Sequence, residues 1–382
     1  MNAAQVMNLG QLLTQTARLF PERPAVIRGD EVWTWGEMEQ RVAAMAAALR
    51  KMGVRKGERI LVQSRNNVQM FESCWIAFRL GCVWVPTNFR LTPPEVAYLG
   101  ASSGASVMIV EDVFAGHADA VRAASQVLKH VIAIGKARTG EHAYEDLVRE
   151  HRGALHEHET VGCDDPLWFF YTSGTTGRPK AGVLTHGQMA FVVTNHLADL
   201  IPGTTERDCS IAVAPLSHGA GIHALLNVAR GAATVLLESE KLDPEAFWKA
   251  VEQHRVSNLF TVPTIVKMLV EHPAVDRYDH SSLRYLIYAG APMYRADQKL
   301  ALQKLGKVLV QYFGLGEVTG NITVLPPGMH SADDADPNAN IGSCGRPRTG
   351  MEVAILDAEE VSIGRTAAAG CVSGAEGTEH QD

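Results

Sequence analysis

Short apolar segments alternate with amphipathic, helix-like segments along most of this chain, and this alternation constrains its fold more than any other feature. Residues 35–52 carry apolar side chains from Met38 to Leu49 at spacings of three and four, which predicts a helix with one apolar face. Apolar runs such as 59–62 and 107–110 have the length of strands. Because apolar strands that alternate with helices are typical of parallel sheets covered on both faces, the sequence predicts an α/β fold.

The alternation is weakest in two polar segments. Residues 136–166 are rich in His and Glu, which predicts a connection between subdomains. The histidines between His151 and His158 suggest a metal site, but the sequence favours a solvated connection because no predicted element fixes their geometry. Residues 358–382 lack periodicity and are mostly small or polar, which predicts a disordered tail.

Composition narrows the class of protein. A chain of 382 residues suits two or three subdomains. The formal net charge is -7 and no long basic run occurs, so the sequence lacks the electrostatic pattern of a nucleic-acid-binding protein. The six cysteines include no Cys-x-x-Cys pair, which disfavours a zinc knuckle or a redox dithiol. The N-terminus carries no signal-peptide pattern, and the apolar runs are too short to span a membrane. We therefore expect a cytoplasmic protein with reduced thiols.

A strand-like run, residues 167–171, leads into a segment that we call the glycine-threonine loop (residues 171–180, YTSGTTGRPK). Glycines let backbone N–H groups converge on an anion, and hydroxyls add donors for phosphate oxygens. A lysine at the end of the loop brings a positive charge to the same phosphates. The predicted phosphate-binding residues are Thr172, Ser173, Gly174, Thr175, Thr176, Gly177 and Lys180. A flexible surface turn rich in glycine and threonine is the alternative interpretation.

The loop differs from a P-loop, in which lysine directly follows the second glycine, because two residues separate Gly177 from Lys180. Residues 171–187 instead resemble the signature loop of the adenylate-forming superfamily, which includes acyl-CoA synthetases, luciferases and the adenylation domains of peptide synthetases. Three further segments resemble later motifs of this superfamily in the expected order, namely 214–221, 288–293 and 311–317. The resemblance covers about residues 8–357.

The resemblance implies the large N-terminal domain of the adenylate-forming fold, an α/β fold with two αβα subdomains of mostly parallel sheets and a smaller β-rich subdomain. On this basis the AMP-binding N-terminal domain spans residues 1–357. Its subdomains are expected at approximately 1–160 and 161–340, with the β-rich part towards 341–357. The family's C-terminal domain is expected to be absent, and residues 358–382 then form a disordered or aberrant tail.

The resemblance also implies a reaction. A carboxylic acid and ATP give acyl-AMP and pyrophosphate, and coenzyme A, as co-substrate, then gives acyl-CoA and AMP. Thr172 and Glu317 are the implied Mg²⁺-associated pair, and their hydroxyl and carboxylate oxygens are suitable hard ligands. The implied catalytic residues are Lys180, His218 and Glu317, with His218 orienting the carboxylate or the acyl phosphate. A structural hydrogen-bonding role is the alternative for His218, and His223 is a weaker candidate.

Two later motifs supply the remaining implied nucleotide contacts. The residues implied to pack against adenine are Gly290, Ala291 and Pro292. The residues implied to contact the adenylate are Phe313, Gly314, Gly316 and Glu317. Helix capping is the alternative for the first group, because residues 293–305 look helical. Gly316 stands where the family usually has threonine, and Thr319 is a candidate to replace the lost hydroxyl.

The end of the resemblance qualifies the implied activity. The family's next motif, whose aspartate holds the ribose hydroxyls, is not found after residue 357. The hinge and the C-terminal domain with its catalytic lysine are not found either. The alternative function is therefore a truncated, catalytically impaired module that binds nucleotide or acid without turnover.

The sequence constrains the acid only loosely. A fatty or other apolar acid suits an apolar pocket formed by four residues that equally suit the core: Phe191, Val193, Ile222 and Leu225. Amino-acid activation is disfavoured because Ser217 and His218 offer no negative charge to a substrate ammonium group. The expected partners are a small-molecule carboxylic acid, ATP and coenzyme A, and a homodimer is compatible with the sequence.

Overall fold

The structure is a computed structural model that describes most of the chain. The described residues are 5–155, 157–172, 177–239, 241–336, 339–356 and 362–365. Two compact units are distinguished: the first contains residues 1–194 and 203–243, and the second contains residues 195–202 and 244–382. The subdomain boundary near residue 160 that the resemblance implies stays a prediction.

The helices follow the chain in the order in which they are numbered. They are α1 (Gln11–Leu19), α2 (Trp35–Lys51), α3 (Val68–Arg79), α4 (Pro93–Ser103), α5 (Ala115–Ala124), α6 (Tyr144–Glu150), α7 (His186–Asp199), α8 (Gly219–Arg230), α9 (Pro244–His254), α10 (Pro263–Glu271) and α11 (Arg295–Leu305). None of these described helices combines the length and the apolar character needed to cross a membrane.

The strands are mostly short. They are β1 (Gln5–Val6), β2 (Pro24–Arg28), β3 (Glu31–Thr34), β4 (Arg59–Gln63), β5 (Val83–Pro86), β6 (Val107–Glu111), β7 (His130–Ile134), β8 (His142–Ala143), β9 (Val161–Gly162), β10 (Pro166–Thr172), β11 (Lys180–Thr185), β12 (Cys209–Ala212), β13 (Ala233–Leu236), β14 (Asn258–Thr261), β15 (Tyr285–Tyr288), β16 (Leu309–Phe313), β17 (Thr323–Leu325), β18 (Arg346–Pro347), β19 (Ala354–Leu356) and β20 (Ser362–Arg365).

Local sequence signals set the helix ends that flank the first sheet. Thr34 and Glu37 form a capping box at the start of α2, each side chain bonding to the other's backbone N–H. Gly53 follows the C-cap of α2 with φ +94°, a conformation that glycine adopts at little cost. The side chain of Asn67 caps α3 by accepting a hydrogen bond from the Met70 N–H at 2.8 Å. The helix predicted over 35–52 is confirmed.

The first unit contains a seven-stranded sheet in the order β11-β10-β5-β4-β6-β7-β8. The β10–β11 pair is antiparallel and the other pairs are parallel. Four more strands of this unit lie in the order β12-β13-β2-β3, parallel except for β2–β3. The strands β4 and β6 are buried along nearly their whole length, as expected for a sheet covered on both faces.

The second unit has its own run of strands, in the order β18-β17-β16-β15-β14. β14, β15 and β16 are parallel, whereas β17 and β18 are antiparallel additions. The strands predicted at 285–288 and 308–313 are confirmed as β15 and β16. The predicted α/β class with mostly parallel sheets is confirmed in both units.

Two polar segments are more ordered than their composition suggests. Residues 136–166 contain α6, in which Tyr144 is 1% exposed and donates a hydrogen bond to Glu72 at 2.7 Å. Arg41 of α2 pairs with Glu72 and also with Glu145, at 2.8 Å. Because a carboxylate without a cation is costly to bury, these pairs hold α6 against α2 and α3. The prediction of a mere connection is wrong for this helix.

The segment predicted to be a disordered tail also contains regular structure. Residues 362–365 form β20, which pairs with β19 in an antiparallel ladder. The prediction is therefore wrong for these four residues. Residues 357–361 and 366–382 lie outside the described residues.

Candidate active site

The glycine-threonine loop joins the two strands of a β-hairpin. β10 and β11 are antiparallel, and Thr172 stands directly opposite Lys180. Residues directly opposite each other on such a ladder share one face of the sheet, with Cβ atoms about 5 Å apart. The Thr172 hydroxyl and the Lys180 ammonium group therefore belong to the same face. The predicted contacts Ser173, Gly174, Thr175 and Thr176 lie outside the described residues.

The hairpin geometry agrees with the exclusion of a P-loop. In a P-loop the lysine begins a helix, whereas here Lys180 begins the strand β11. Gly177 has φ +86°, so the return of the chain uses a left-handed conformation that glycine tolerates. The strand β11 was not among the predicted elements, and its sequence, KAGVLT, shows no alternation of apolar and polar residues that would have indicated a strand.

His218 lies at the N-cap of α8, beside the hairpin. Its Nδ1 atom and the Ser217 hydroxyl are hydrogen-bonded at 2.8 Å, and its ring contacts the Phe170 ring at a centroid distance of 5.5 Å. Burial lowers the pKa of His218 below its ordinary value, so the imidazole is neutral at pH 7. A neutral imidazole has one N–H group, which can donate a hydrogen bond to an anion, and one ring nitrogen that accepts.

A cavity of about 240 Å³ brings these residues together. Its lining comprises Pro86, Thr87, Asn88, Leu91, Leu99, Tyr171, Thr172, Pro179, Ser217 and His218. Both arms of the glycine-threonine loop thus face the same space as the predicted histidine. Polar groups that converge on a concave surface are typical of ligand sites.

Sequence reasoning missed Asn66, which holds the segment before His218. Its Nδ2 donates to the carbonyl of Ala214 at 2.9 Å, and its Oδ1 accepts from the N–H of Leu216 at 2.9 Å. The intervening residue, Pro215, has no N–H of its own. Asn66 therefore fixes this segment as a neighbouring strand would. No local signal identifies this role, because the partners are 148 and 150 residues away.

The residues predicted to line an apolar pocket are mostly packed in the core. Val193, Ile222 and Leu225 are at most 4% exposed, whereas Phe191 is 44% exposed. The void beside Leu225 measures only about 10 Å³, too small for an acyl group. Burial therefore favours the packing alternative for these three residues. His223 is likewise buried, within α8.

The predicted adenine-binding residues lie in the second unit, directly after β15. Gly290 has φ +83°, and Gly290, Ala291 and Pro292 are all exposed. The next helix, α11, begins only at Arg295, and its N-cap is Tyr294. The three residues therefore precede the cap, which disfavours the helix-capping alternative. The carboxyl end of a parallel strand is the usual place for a ligand in α/β proteins.

The last predicted motif follows the neighbouring strand β16. A Cβ atom at Gly314 would lie 2.4 Å from the Cα of Gly320, so this close approach of the chain requires glycine. Between these glycines, Gly316–Val318 form a 3₁₀ turn that leaves Glu317 exposed. Because β15 and β16 are parallel neighbours, the motifs at their carboxyl ends lie at one edge of the sheet.

Thr319 does not replace the hydroxyl that Gly316 lacks. It is 2% exposed, and its hydroxyl donates to the carbonyl of Val318 at 2.6 Å. A buried hydroxyl already used within its own turn cannot also serve a ligand at the exposed side. Phe313, by contrast, is 47% exposed and accessible to a flat group.

The predicted residues thus form two sets, each placed within its own unit. The first set contains Thr172, Gly177, Lys180 and His218. The second set contains Gly290, Ala291, Pro292, Phe313, Gly314, Gly316 and Glu317. The assembly of both sets around one nucleotide stays a prediction. For Mg²⁺, the exposed carboxylate of Glu317 and the hydroxyl of Thr172 are chemically fitting oxygen donors.

Comparison with known families identifies the chain. Residues 13–375 match the family described as AMP-binding enzyme. The chain belongs to the AMP-binding enzyme family. The match includes the glycine-threonine loop and both motifs at the carboxyl ends of β15 and β16.

Individual relatives agree with this membership. The chain is 36% identical over 343 residues to a feruloyl-CoA synthase of Amycolatopsis sp. The alignment covers 89% of this chain and 64% of the relative. It is 30% identical over 352 residues to a long-chain-fatty-acid–CoA ligase of Mycobacterium tuberculosis, covering 91% of this chain and 66% of the relative. The chain thus spans less than two thirds of the length of these curated relatives.

Among solved structures, the chain is similar to the inhibitor-bound N-terminal domain of FACL13 from Mycobacterium tuberculosis. The TM-score is 0.83 at 27% identity, and the alignment covers 94% of this chain and 86% of that domain. The fold predicted from the resemblance is therefore confirmed.

Proposed function

We propose that this chain carries the acid-activating part of an ATP-dependent acid–CoA ligase that forms AMP. The proposed substrate is a fatty or other apolar carboxylic acid. The observation that carries the proposal is the cavity that Thr172, at the end of β10, and His218 both line, in a member of the AMP-binding enzyme family. A phosphate-binding loop beside a neutral hydrogen-bond donor suits the meeting of ATP with a carboxylate.

The proposed chemistry begins with attack of a carboxylate oxygen on the α-phosphorus of ATP. A new oxygen–phosphorus bond forms, the bond to the β-phosphate oxygen breaks, and pyrophosphate leaves with its electron pair. Lys180 offsets negative charge on the phosphates, and Thr172 on the same face supplies a hydroxyl donor. Mg²⁺, with Glu317 and Thr172 as proposed holders, would supply further charge neutralisation.

His218 is proposed to orient the acid rather than to move a proton. Its lowered pKa keeps the ring uncharged at pH 7, and the bond to Ser217 fixes Nδ1. Its Nε2 atom is then proposed to donate to the carboxylate or to the developing acyl phosphate. In the second half-reaction the coenzyme A thiol would lose its proton to solvent and its sulfur would attack the acyl carbon; a carbon–sulfur bond would form, the carbon–oxygen bond to the phosphate would break, and AMP would leave with that electron pair.

Two features support an apolar acid. The relatives are named for feruloyl and long-chain fatty acyl groups, whose parent acids each carry one carboxyl group on a largely hydrocarbon body. In addition, Leu91, Leu99 and Pro86 contribute apolar surface to the wall of the cavity. The dependence on Mg²⁺, the cytoplasmic location and the homodimer stay predictions.

Pyrophosphate release tests the proposal. The chain would be mixed with ATP, Mg²⁺ and a panel containing ferulate, indoleacetate, a long-chain fatty acid and glycine. We expect release with one of the apolar acids and none with glycine. Lys180→Met should reduce the rate by about 100-fold, as for the loss of a fixed charge at a developing anion.

A matched variant separates a site effect from a general loss of charge. Lys307 is an exposed lysine of the second unit, and Lys307→Met should retain the wild-type rate. Absence of release with every acid, together with a higher thermal midpoint on adding ATP, would favour a nucleotide-binding module without turnover. Absence of both effects would refute a nucleotide site.

A further inference from the structure

Helix α4 contacts both arms of the glycine-threonine loop. The Tyr171 hydroxyl, on the arm that enters the loop, donates to the Ser102 oxygen at 3.1 Å. On the arm that leaves it, the carbonyl of Pro179 accepts a hydrogen bond from the Tyr98 hydroxyl at 3.2 Å. The guanidinium of Arg178 also lies over the Tyr98 ring, 5.6 Å from its centroid. One turn of one helix thus contacts the chain on both sides of the loop.

The position of the hairpin explains why such contacts matter. Among the described strands of its sheet, β11 lies at the edge and pairs only with β10. Fixing the backbone of glycine residues costs more conformational entropy than fixing that of other residues, and this cost counts against ligand binding when it has to be met at that step. Contacts that fix both ends of the loop in advance reduce that cost.

Helix α4 itself is well fixed. Thr92 and Glu95 form a capping box at its start, and Gly104 ends it with φ +64°. Val96 and Leu99 are buried in the core of the first unit. Tyr98 and Tyr171 both pack against this core, and burial raises the pKa of Tyr171, so its hydroxyl stays a donor. The helix is therefore a rigid support for the loop.

We propose that Tyr98 and Ser102 are positioning residues that hold the two arms of the glycine-threonine loop in the conformation that binds the phosphates of ATP. They touch neither the acid nor the reacting atoms in this proposal. They act through Tyr171, Arg178 and Pro179. The proposal rests on the proposed nucleotide site of the loop.

Two substitutions remove the hydrogen bonds between α4 and the loop while leaving most of the packing in place. Tyr98→Phe removes the hydroxyl that bonds to Pro179 but keeps the ring beneath Arg178. Ser102→Ala removes the acceptor used by Tyr171 at an exposed position. We expect each to raise the Kd for ATP about fivefold, as for one lost hydrogen bond, and the double variant to raise it further.

Tyr285→Phe is a closely matched control. The Tyr285 hydroxyl also donates to a proline carbonyl, that of Pro202 at 2.7 Å, and the guanidinium of Arg284 lies 5.4 Å from its ring centroid. These contacts lie in the second unit and do not involve the loop. The control should bind ATP with wild-type affinity.

Calorimetric titration with ATP and amide hydrogen exchange of residues 168–185 without nucleotide give independent measurements. Support requires faster exchange in this segment and weaker ATP binding in Tyr98→Phe, with the KM for ATP rising and kcat nearly unchanged. If exchange is faster in Tyr98→Phe than in the wild type but the wild type does not bind ATP, the proposed function is refuted and the support of the loop by α4 is not. Unchanged exchange and unchanged affinity in the double variant would overturn the positioning role.

Discussion

Buried His186 should make the first unit less stable as the pH falls. This residue begins α7, is completely buried, and accepts a hydrogen bond on Nδ1 from the N–H of Leu9 at 3.2 Å. Its ring also contacts Phe78 edge-on. A protonated ring would lose this acceptor and would place a charge in a buried position, where the attraction of Asp165 offsets only part of the desolvation. Burial accordingly lowers the pKa of His186 from 6.5 to about 4.

The sign and the magnitude follow from linkage. The folded pKa lies below the unfolded one, so the unfolded chain binds more protons and stability is lost as the pH falls from 7 towards 4. Between pH 7 and pH 5, a histidine with these two pKa values loses about 2 kcal/mol of folding free energy. Below the folded pKa no further loss comes from this residue.

The variant His186→Asn isolates this contribution, because the asparagine oxygen can take the place of Nδ1 as acceptor without titrating. Urea unfolding at pH 7 and pH 5, followed by tryptophan fluorescence, reports mainly on the first unit, which holds Trp33, Trp35, Trp75, Trp84 and Trp168. The drop in unfolding free energy between the two pH values should be smaller in the variant by about 2 kcal/mol. An equal drop in variant and wild type would refute the reasoning.

Two further substitutions test how the segment before His218 is held. Asn66→Ala removes both hydrogen bonds to that segment and should lower the rate of pyrophosphate release about tenfold. Asn8→Ala, which removes the Nδ2 bonds to the distant carbonyls of Phe78 and Glu159, should lower the thermal midpoint without a comparable effect on the rate; equal rate losses in both would contradict a local role for Asn66. A Cβ atom at Gly221 would lie 2.1 Å from the Leu216 carbonyl oxygen, so Gly221→Ala should destabilise the protein by roughly 3 kcal/mol. A thermal midpoint within about 2 °C of the wild type would show that the segment yields to the clash.

Much of the fold could be predicted because its signals are local. The helix α2 is indicated by the spacing of its apolar residues, by the capping residues Thr34 and Glu37 at its start and by Gly53 after its end. The mostly parallel sheet follows from apolar runs separated by helices. The glycine-threonine loop and Lys180 could be predicted as a phosphate site from the sequence, because phosphate binding needs particular residue types at short spacing.

Other features depended on contacts between distant parts of the chain. The polar segment 136–166 contains a helix that packs against α2 and α3. Its Tyr144 donates a hydrogen bond to Glu72, and its Glu145 forms an ion pair with Arg41, which also pairs with Glu72. Thr319 was a candidate to replace the hydroxyl that Gly316 lacks, but its hydroxyl bonds to the carbonyl of the neighbouring Val318. Neither outcome has a signal within a short window of sequence.

The sequence by itself therefore determined the α/β class, the family motifs and the residue types that a phosphate site requires. The tertiary structure decided which of these residues share a cavity and which others hold them there. Asn66 and Tyr98 are ordinary polar residues until folding places them beside Ala214 and Pro179, 148 and 81 positions away. Backbone conformation and caps are set by neighbours in sequence, whereas the partner of a side chain is set by packing of the whole unit.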